Sequence, residues 1–345
     1  MRIAVDAMGG DFAPLAPVRG ALDAHERFGT EIALIGRREA VRGALAECGK
    51  SELPAGVTLV EASEVIEICD PPARAFSQKP DSSMTVGLKL VRDGEADAFV
   101  SAGSTGALLA GATFVVKRIK GLRRVALAPI IPTAEGRAVL IDCGANAECT
   151  PEFLLQFAYL GSYYASKALG IERPRVGLLN IGAEESKGDA LRIETYRRLR
   201  EAGERGDLNF TGNVEAKEAL LGQCDVIVSD GFSGNVLLKT VEGAGKMMGG
   251  MLKGMLMKNV GTKLAALLLR HGLADFKRTL DPNEVGGTAL LGITRPVIKA
   301  HGSSNEVAFR NAIRQAEAAA KSDIAADIAR NIDRMRVERE KSGAE

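Results

Sequence analysis

DVIVSDGFSGNVLLKT, residues 225–240, reads as a strand, a turn and the start of a helix. Val226, Ile227 and Val228 are β-branched, as suits a strand with both faces buried. Asp230 ends the apolar run, and Gly231 and Gly234 permit a tight turn and close approach by a ligand. The helix that follows, entered through Asn235, directs free N–H groups at whatever lies above it, which favours an anion. The same plan of apolar strand, small polar turn and helix recurs at residues 6–11, 101–106, 142–146, 180–188 and 301–305.

Residues 2–6, 31–36 and 57–62 alternate with helical sequence in a βαβαβ opening. Such alternation predicts an α/β fold with a doubly wound, mostly parallel sheet, in a single domain over residues 1–345. Residues 124–133 and 137–146 read as two further strands around a turn at Glu135 and Gly136. Residues 66–84, interrupted by Pro71, Pro72 and Pro80, read as a loop. In an open parallel sheet the turns gather along the carboxyl edge, where these folds bind ligands. They would bring together Asp6, Gly9, Gly10 and Asp11, then Ser101, Gly103, Ser104, Thr105 and Gly106. Asp142, Asn146, Asn180, Lys187, His301 and Ser303 complete the set. Glycines, hydroxyls and a lysine with few large apolar side chains suit an oxyanion such as phosphate.

The composition is that of a globular protein: 345 residues, 46% hydrophobic and 26% charged. A net charge of +1 supplies no basic domain for nucleic acid. Five cysteines form no CxxC pair and histidines 25, 271 and 301 make no ligand pattern, so no metal is expected. Cys143 has no histidine base placed near it and reads as a core residue. The chain opens directly with a strand, and no run approaches about 20 apolar residues, so a cytoplasmic protein without a spanning helix is expected. GAGKMMG at 243–249 has GxGxxxG spacing inside helical sequence, and GAEESKG at 182–188 lacks the Walker A arrangement. No cofactor motif remains.

Residues 243–272 change character. Met247, Met251 and Met255 fall four apart with Met248, Leu252 and Leu256 beside them, an apolar stripe flanked by Lys246, Lys253 and Lys258. Gly261 and Thr262 are expected to break this helix. Two readings stand: a hairpin packed on its own core or in a homodimer, or a cationic, methionine-rich surface for an anionic membrane or an acyl chain.

DAMGGD at 6, DSSM at 81, SAGSTGALLA at 101, LIDCGAN at 140, GLLNIGAEESKGD at 177, SDGFSGNVLLKT at 229 and AHGSSN at 300 run in one order along nearly the whole chain. On these blocks the chain resembles the phosphate acyltransferase family PlsX. The resemblance implies a dimeric fold similar to isocitrate and isopropylmalate dehydrogenases and phosphotransacetylase, without a cofactor. It implies transfer of a long-chain acyl group from acyl-carrier protein to inorganic phosphate, giving acyl phosphate for phospholipid synthesis. Ser104, and Thr288 with Ala289, depart from the family pattern. Phosphate is itself a nucleophile, so positioning and charge stabilisation would carry the rate. Lys187 and backbone N–H groups of 103–106 and 231–235 are expected to hold phosphate, with Asn180 and Asn235 orienting it and His301 or Asp230 handling a proton. Lys117, Arg118, Lys120, Arg123 and Arg124 are candidates for steering the acidic carrier protein.

Overall fold

The six polar turns belong to two sheets rather than one. The computed structural model describes residues 1–280 and 282–335, without the side chains of Ala73, Asp275, residues 277–280 and Pro282. The sequence also reads as closing in a polar, charged helix or tail, whose residues from 336 on lie outside the described ones. The strands are β1 (Arg2–Asp6), β2 (Glu31–Gly36), β3 (Val57–Glu61), β4 (Ala98–Ser101), β5 (Ala126–Ala128) and β6 (Ile130–Thr133). They continue as β7 (Gly136–Ile141), β8 (Arg175–Leu179), β9 (Asn209–Val214), β10 (Val226–Val228), β11 (Gly287–Leu291) and β12 (Val297–Ala300).

Seven strands form one sheet in the order β3-β2-β1-β4-β12-β11-β5, and five form the other in the order β6-β7-β10-β8-β9. The pairings β2–β3, β1–β2, β1–β4 and β4–β12 are parallel, as are β7–β10, β8–β10 and β8–β9. Among the described residues the antiparallel pairings are those of β11 with β12 and β5, and of β6 with β7. The mixed α/β class with mostly parallel sheets is therefore as expected, and the division in two is not. Alternating strands and helices favour parallel pairing but do not say which strands share a sheet.

The switch point is Pro129. Residues 124–133, read as one strand, are cut there, because proline has no N–H to continue a ladder. β5 joins the edge of the larger sheet and β6 that of the smaller. The two are stitched at this point: Leu140 N–H donates to Pro129 O at 3.0 Å and Cys143 N–H to Leu127 O at 3.1 Å. The 66–84 loop also differs from expectation, since Pro72–Gln78 is helical with a proline in its first turn, where the missing N–H costs nothing.

Val226, Ile227 and Val228 are completely buried, as a strand between helix layers requires. Gly231–Leu256 is then a single helix of 26 residues, with the Asp230 side chain accepting Ser233 N–H as its N-cap. GAGKMMG lies wholly inside it, so the loop geometry of a dinucleotide site is absent there. The break comes before Gly261, at Asn259, which forms a reciprocal capping box with Thr262 and starts helix Val260–Leu268. A helix Arg270–Leu280 follows. Among the described residues no helix is long and apolar enough to cross a membrane.

Candidate active site

Three turns follow β1, β4 and β12, which are neighbours in the larger sheet; three follow β7, β10 and β8, neighbours in the smaller one. Each trio is held together by its own polar residues. In the first, Asp6 accepts from Met8 N–H at 3.0 Å and from the Ser101 hydroxyl at 2.7 Å, and Ser101 Oγ accepts Gly103 N–H at 3.0 Å. Asp11 N–H donates to Gly302 O at 2.8 Å. Gly10 has φ +103°, and a Cβ there would stand 2.9 Å from that of Ala102. Burial raises the pKa of Asp6 above the usual carboxylate value against the opposing hydrogen bonds from Ser101 and neighbouring groups.

In the second trio, Asp142 is fully buried and accepts N–H bonds from Leu127 at 2.9 Å, Cys143 at 2.7 Å and Asn146 at 2.6 Å. Leu127 belongs to the other sheet, so this carboxylate also ties the two halves. Gly234 packs so tightly that a Cβ would lie 2.0 Å from Asp142 O. Asp230 pairs with Arg192, a residue not singled out from the sequence, which also donates to Ser233 Oγ at 3.1 Å. Hydrogen bonds from Ser233 and the Arg192 charge hold Asp230 below the usual carboxylate range against its burial. Asp6, Ser101, Asp142 and Asp230 thus build the turns with their polar atoms bonded to protein partners, and Asn146 joins them through Nδ2–H to Val125 O at 2.8 Å.

The same is true of several N–H groups expected to cradle phosphate. Gly103 N–H is taken by Ser101, Gly231 N–H by Asn146 O at 2.8 Å, and Gly234 N–H by Asp230 O at 2.9 Å. Ser104 Oγ faces Ala107 N–H at 3.5 Å as the cap of its helix.

Between the trios lies a cavity of about 470 Å³. Thr105, Lys299 and His301 line it from the larger sheet; Cys143, Asn235 and Lys239 line it from the smaller sheet and the long helix. Thr105, Asn235 and His301 were expected here. Lys299 was not. Its Nζ donates to Ala300 O and, at 3.4 Å, to Ala102 O, which leaves one of three ammonium donors for the cavity. Burial drives its pKa down to about 8, with Asp6 and Asp11 partly opposing the shift. Lys239 pairs with Glu242 at 2.8 Å.

His301 Nδ1 lies 2.8 Å from Ser303 Oγ and accepts Ser303 N–H at 3.2 Å. The backbone donor fixes the neutral tautomer with hydrogen on Nε2. Burial, then the Lys239 charge, lower the ring's pKa, so it is neutral near pH 7. Cys143 is pushed up to about 12, chiefly by burial, which leaves a thiol and not a nucleophile.

Lys187 does not line the cavity; it is exposed on the loop after β8. Asn180 shapes that loop, donating Nδ2–H to Lys187 O at 3.0 Å and accepting Ile181 N–H at 2.8 Å. Among the basic residues considered for carrier docking, Arg123 pairs with Glu152 at 3.0 Å and Arg124 stacks 5.3 Å over Phe153.

Residues 1–327 match the family model described as fatty acid synthesis protein. A phosphate acyltransferase of Thermoanaerobacterium thermosaccharolyticum is 46% identical, over 96% of this chain and 97% of its own. Another, of Bacillus licheniformis, is 47% identical over 96% and 98%. Among solved structures, a phosphotransacetylase from Streptococcus pyogenes superimposes with a TM-score of 0.62 at 22% identity, covering 93% of this chain and 94% of that one. A 4-hydroxythreonine-4-phosphate dehydrogenase from Klebsiella pneumoniae gives 0.51 at 12% identity over 94% and 98%. At such identities these two likenesses show a shared fold.

Proposed function

The chain belongs to the fatty acid synthesis protein family of phosphate acyltransferases, and we propose that it moves a long-chain acyl group from acyl-carrier protein to inorganic phosphate. Transfer of an acyl group to phosphate in lipid synthesis follows from the family; the carrier-bound donor and the residues are our reading. The observation that carries the site is the cavity in which Thr105, Asn235, Lys239, Lys299 and a neutral His301 converge from both sheets.

Phosphate sits against Lys299, with Asn235 and Thr105 orienting it. One of its oxygens attacks the thioester carbonyl. The new C–O bond forms, the oxyanion is held by His301 Nε2–H, and collapse breaks the C–S bond, releasing the carrier thiolate to take a proton. No covalent protein intermediate is needed, and Asp230, already ionised and paired, is not the acid. The protein's contribution is position and preorganised charge. We also propose that Lys187, which stands outside this cavity on a loop set by Asn180, meets phosphate as it enters from solvent.

Two substitutions test the assignment. Lys187→Ala is expected to lower kcat/KM for phosphate at least tenfold; unchanged kinetics would leave Lys299 and Lys239 as the only cations of the site. His301→Gln, which keeps a side-chain N–H, should retain more turnover than His301→Ala, and equal loss in both would remove the donor role.

The outward faces of Met247, Met251 and Met255 support reversible binding to an anionic membrane, where a poorly soluble acyl phosphate would be handed on. A homodimer belongs to the same proposal.

A further inference from the structure

The long helix that carries Asn235 also leads away from the cavity. At about 100° per residue, Asn235, Lys239, Glu242, Gly245, Gly249, Leu252 and Leu256 fall on one face of it, and Met247, Met251 and Met255 on the opposite face. Beyond the first cavity this face borders a second space of about 700 Å³, an open groove flanked by the two following helices through Ala266, Leu273 and Phe276. Glu242, Gly245 and His301 line both spaces, so the two adjoin there. One end is polar and cationic. The other is walled by leucine, methionine and phenylalanine, with Lys246, Lys253 and Arg270 also on its lining.

Of this helix's glycines, Gly245 and Gly249 lie on the groove's lining. A Cβ at Gly245 or at Gly249 would meet no heavy atom within 4 Å, so neither glycine is required by backbone crowding. Both also have negative φ, which any residue adopts. Glycine inside a helix costs about 1 kcal/mol relative to alanine. Two unforced glycines on the face of a groove leave room for something that lies along the helix.

The geometry points to a straight acyl chain as the occupant, with Gly249 as the gauge of its length. This inference rests on the acyltransfer reading of the first cavity. If the carbonyl sits where the spaces join, at His301 and Glu242, the path to Leu256 follows 14 residues of helix, or about 21 Å. An extended alkyl chain advances roughly 1.25 Å per carbon for tetrahedral bonds of about 1.5 Å, so the path takes about 17 carbons. The path to Gly249 follows seven residues, about 10 Å, and takes about eight carbons. A side chain at Gly249 would close the groove between these limits.

The test compares turnover on octanoyl- and palmitoyl-carrier protein for the full chain and for Gly249→Leu, with Gly250→Leu as control. Gly250 lies one residue on, about 100° around the helix and off the groove's lining, and also has nothing within 4 Å of a Cβ. Gly249→Leu is expected to lower palmitoyl turnover at least tenfold relative to octanoyl, while Gly250→Leu keeps the native ratio. An unchanged ratio in Gly249→Leu, or the same change in both variants, overturns the gauge. So does a change of oligomeric state, by light scattering, with the ratio intact, which assigns the groove to a second copy. Failure of the acyltransfer reading itself looks different, since the unmodified chain then releases no carrier protein at either length.

Discussion

In the proposed mechanism Lys299 is the residue on which the chemistry turns. It is an ammonium inside the molecule with two donors on backbone carbonyls and one left over. Because burial lowers its pKa to about 8, the charged form dominates below that pH and is lost above it. The KM for phosphate is therefore expected to rise as pH goes from 7 to 9, in initial-rate measurements at fixed acyl donor. Lys299→Arg, which cannot lose its charge, should flatten that rise, and Lys299→Met should cost at least tenfold in kcat/KM for phosphate, about 1.4 kcal/mol. A Lys299→Met enzyme with native phosphate kinetics removes this lysine from the site. In the sequence it stands inside the apolar run VIKA, and attention to polar turns passes over it. The overlooked signal was a lysine between Ile298 and Ala300 in a strand with near-continuous apolar character. The reverse held for Asp6, Asp142 and Asp230. Their place in turns was legible, but whether a carboxylate faces a ligand or its own backbone depends on atoms from distant strands.

At the scale of the element, the long helix Gly231–Leu256 has three separate tasks along its length. Its N-terminus is pressed against Asp142, where Gly234 leaves no space for a side chain. Gly234→Ala is expected to separate helix and turn and to destabilise the fold by about 1–3 kcal/mol, read as a fall in denaturant midpoint. A midpoint equal to that of the native chain would show that the contact yields freely. Farther along, the stripe read from residues 247–256 divides: Met251 is 69% exposed, while Leu252 and Leu256 turn to the groove. The expected four-residue spacing is correct for each row, but two rows one residue apart point about 100° apart, and only the packing of the next helices shows which is covered. Met251→Glu with Met255→Glu should abolish cosedimentation with anionic vesicles and leave turnover on dispersed substrate intact. Persistent cosedimentation would place the membrane contact elsewhere.

For the whole molecule, the organising fact is that both sheets present turns to one space, those after β4 and β12 from the larger and those after β7 and β10 from the smaller. Strand–turn–helix units were legible because buried parallel strands are β-branched and their turns need glycine. The division between sheets was not, since it hangs on Pro129 and on pairing partners far apart in sequence. The cavity's composition follows from that division: Lys299 and a neutral imidazole come from one side, Asn235 and a second cation, Lys239, from the other. Such a space suits the proposed pair, a small anion at one end and an apolar chain at the other. The most direct measurement is release of free carrier protein from purified palmitoyl-carrier protein as phosphate is raised, with the acyl product identified by mass spectrometry. Release that saturates with phosphate and yields acyl phosphate is the predicted result. Carrier protein that binds but is released at no phosphate concentration would contradict it.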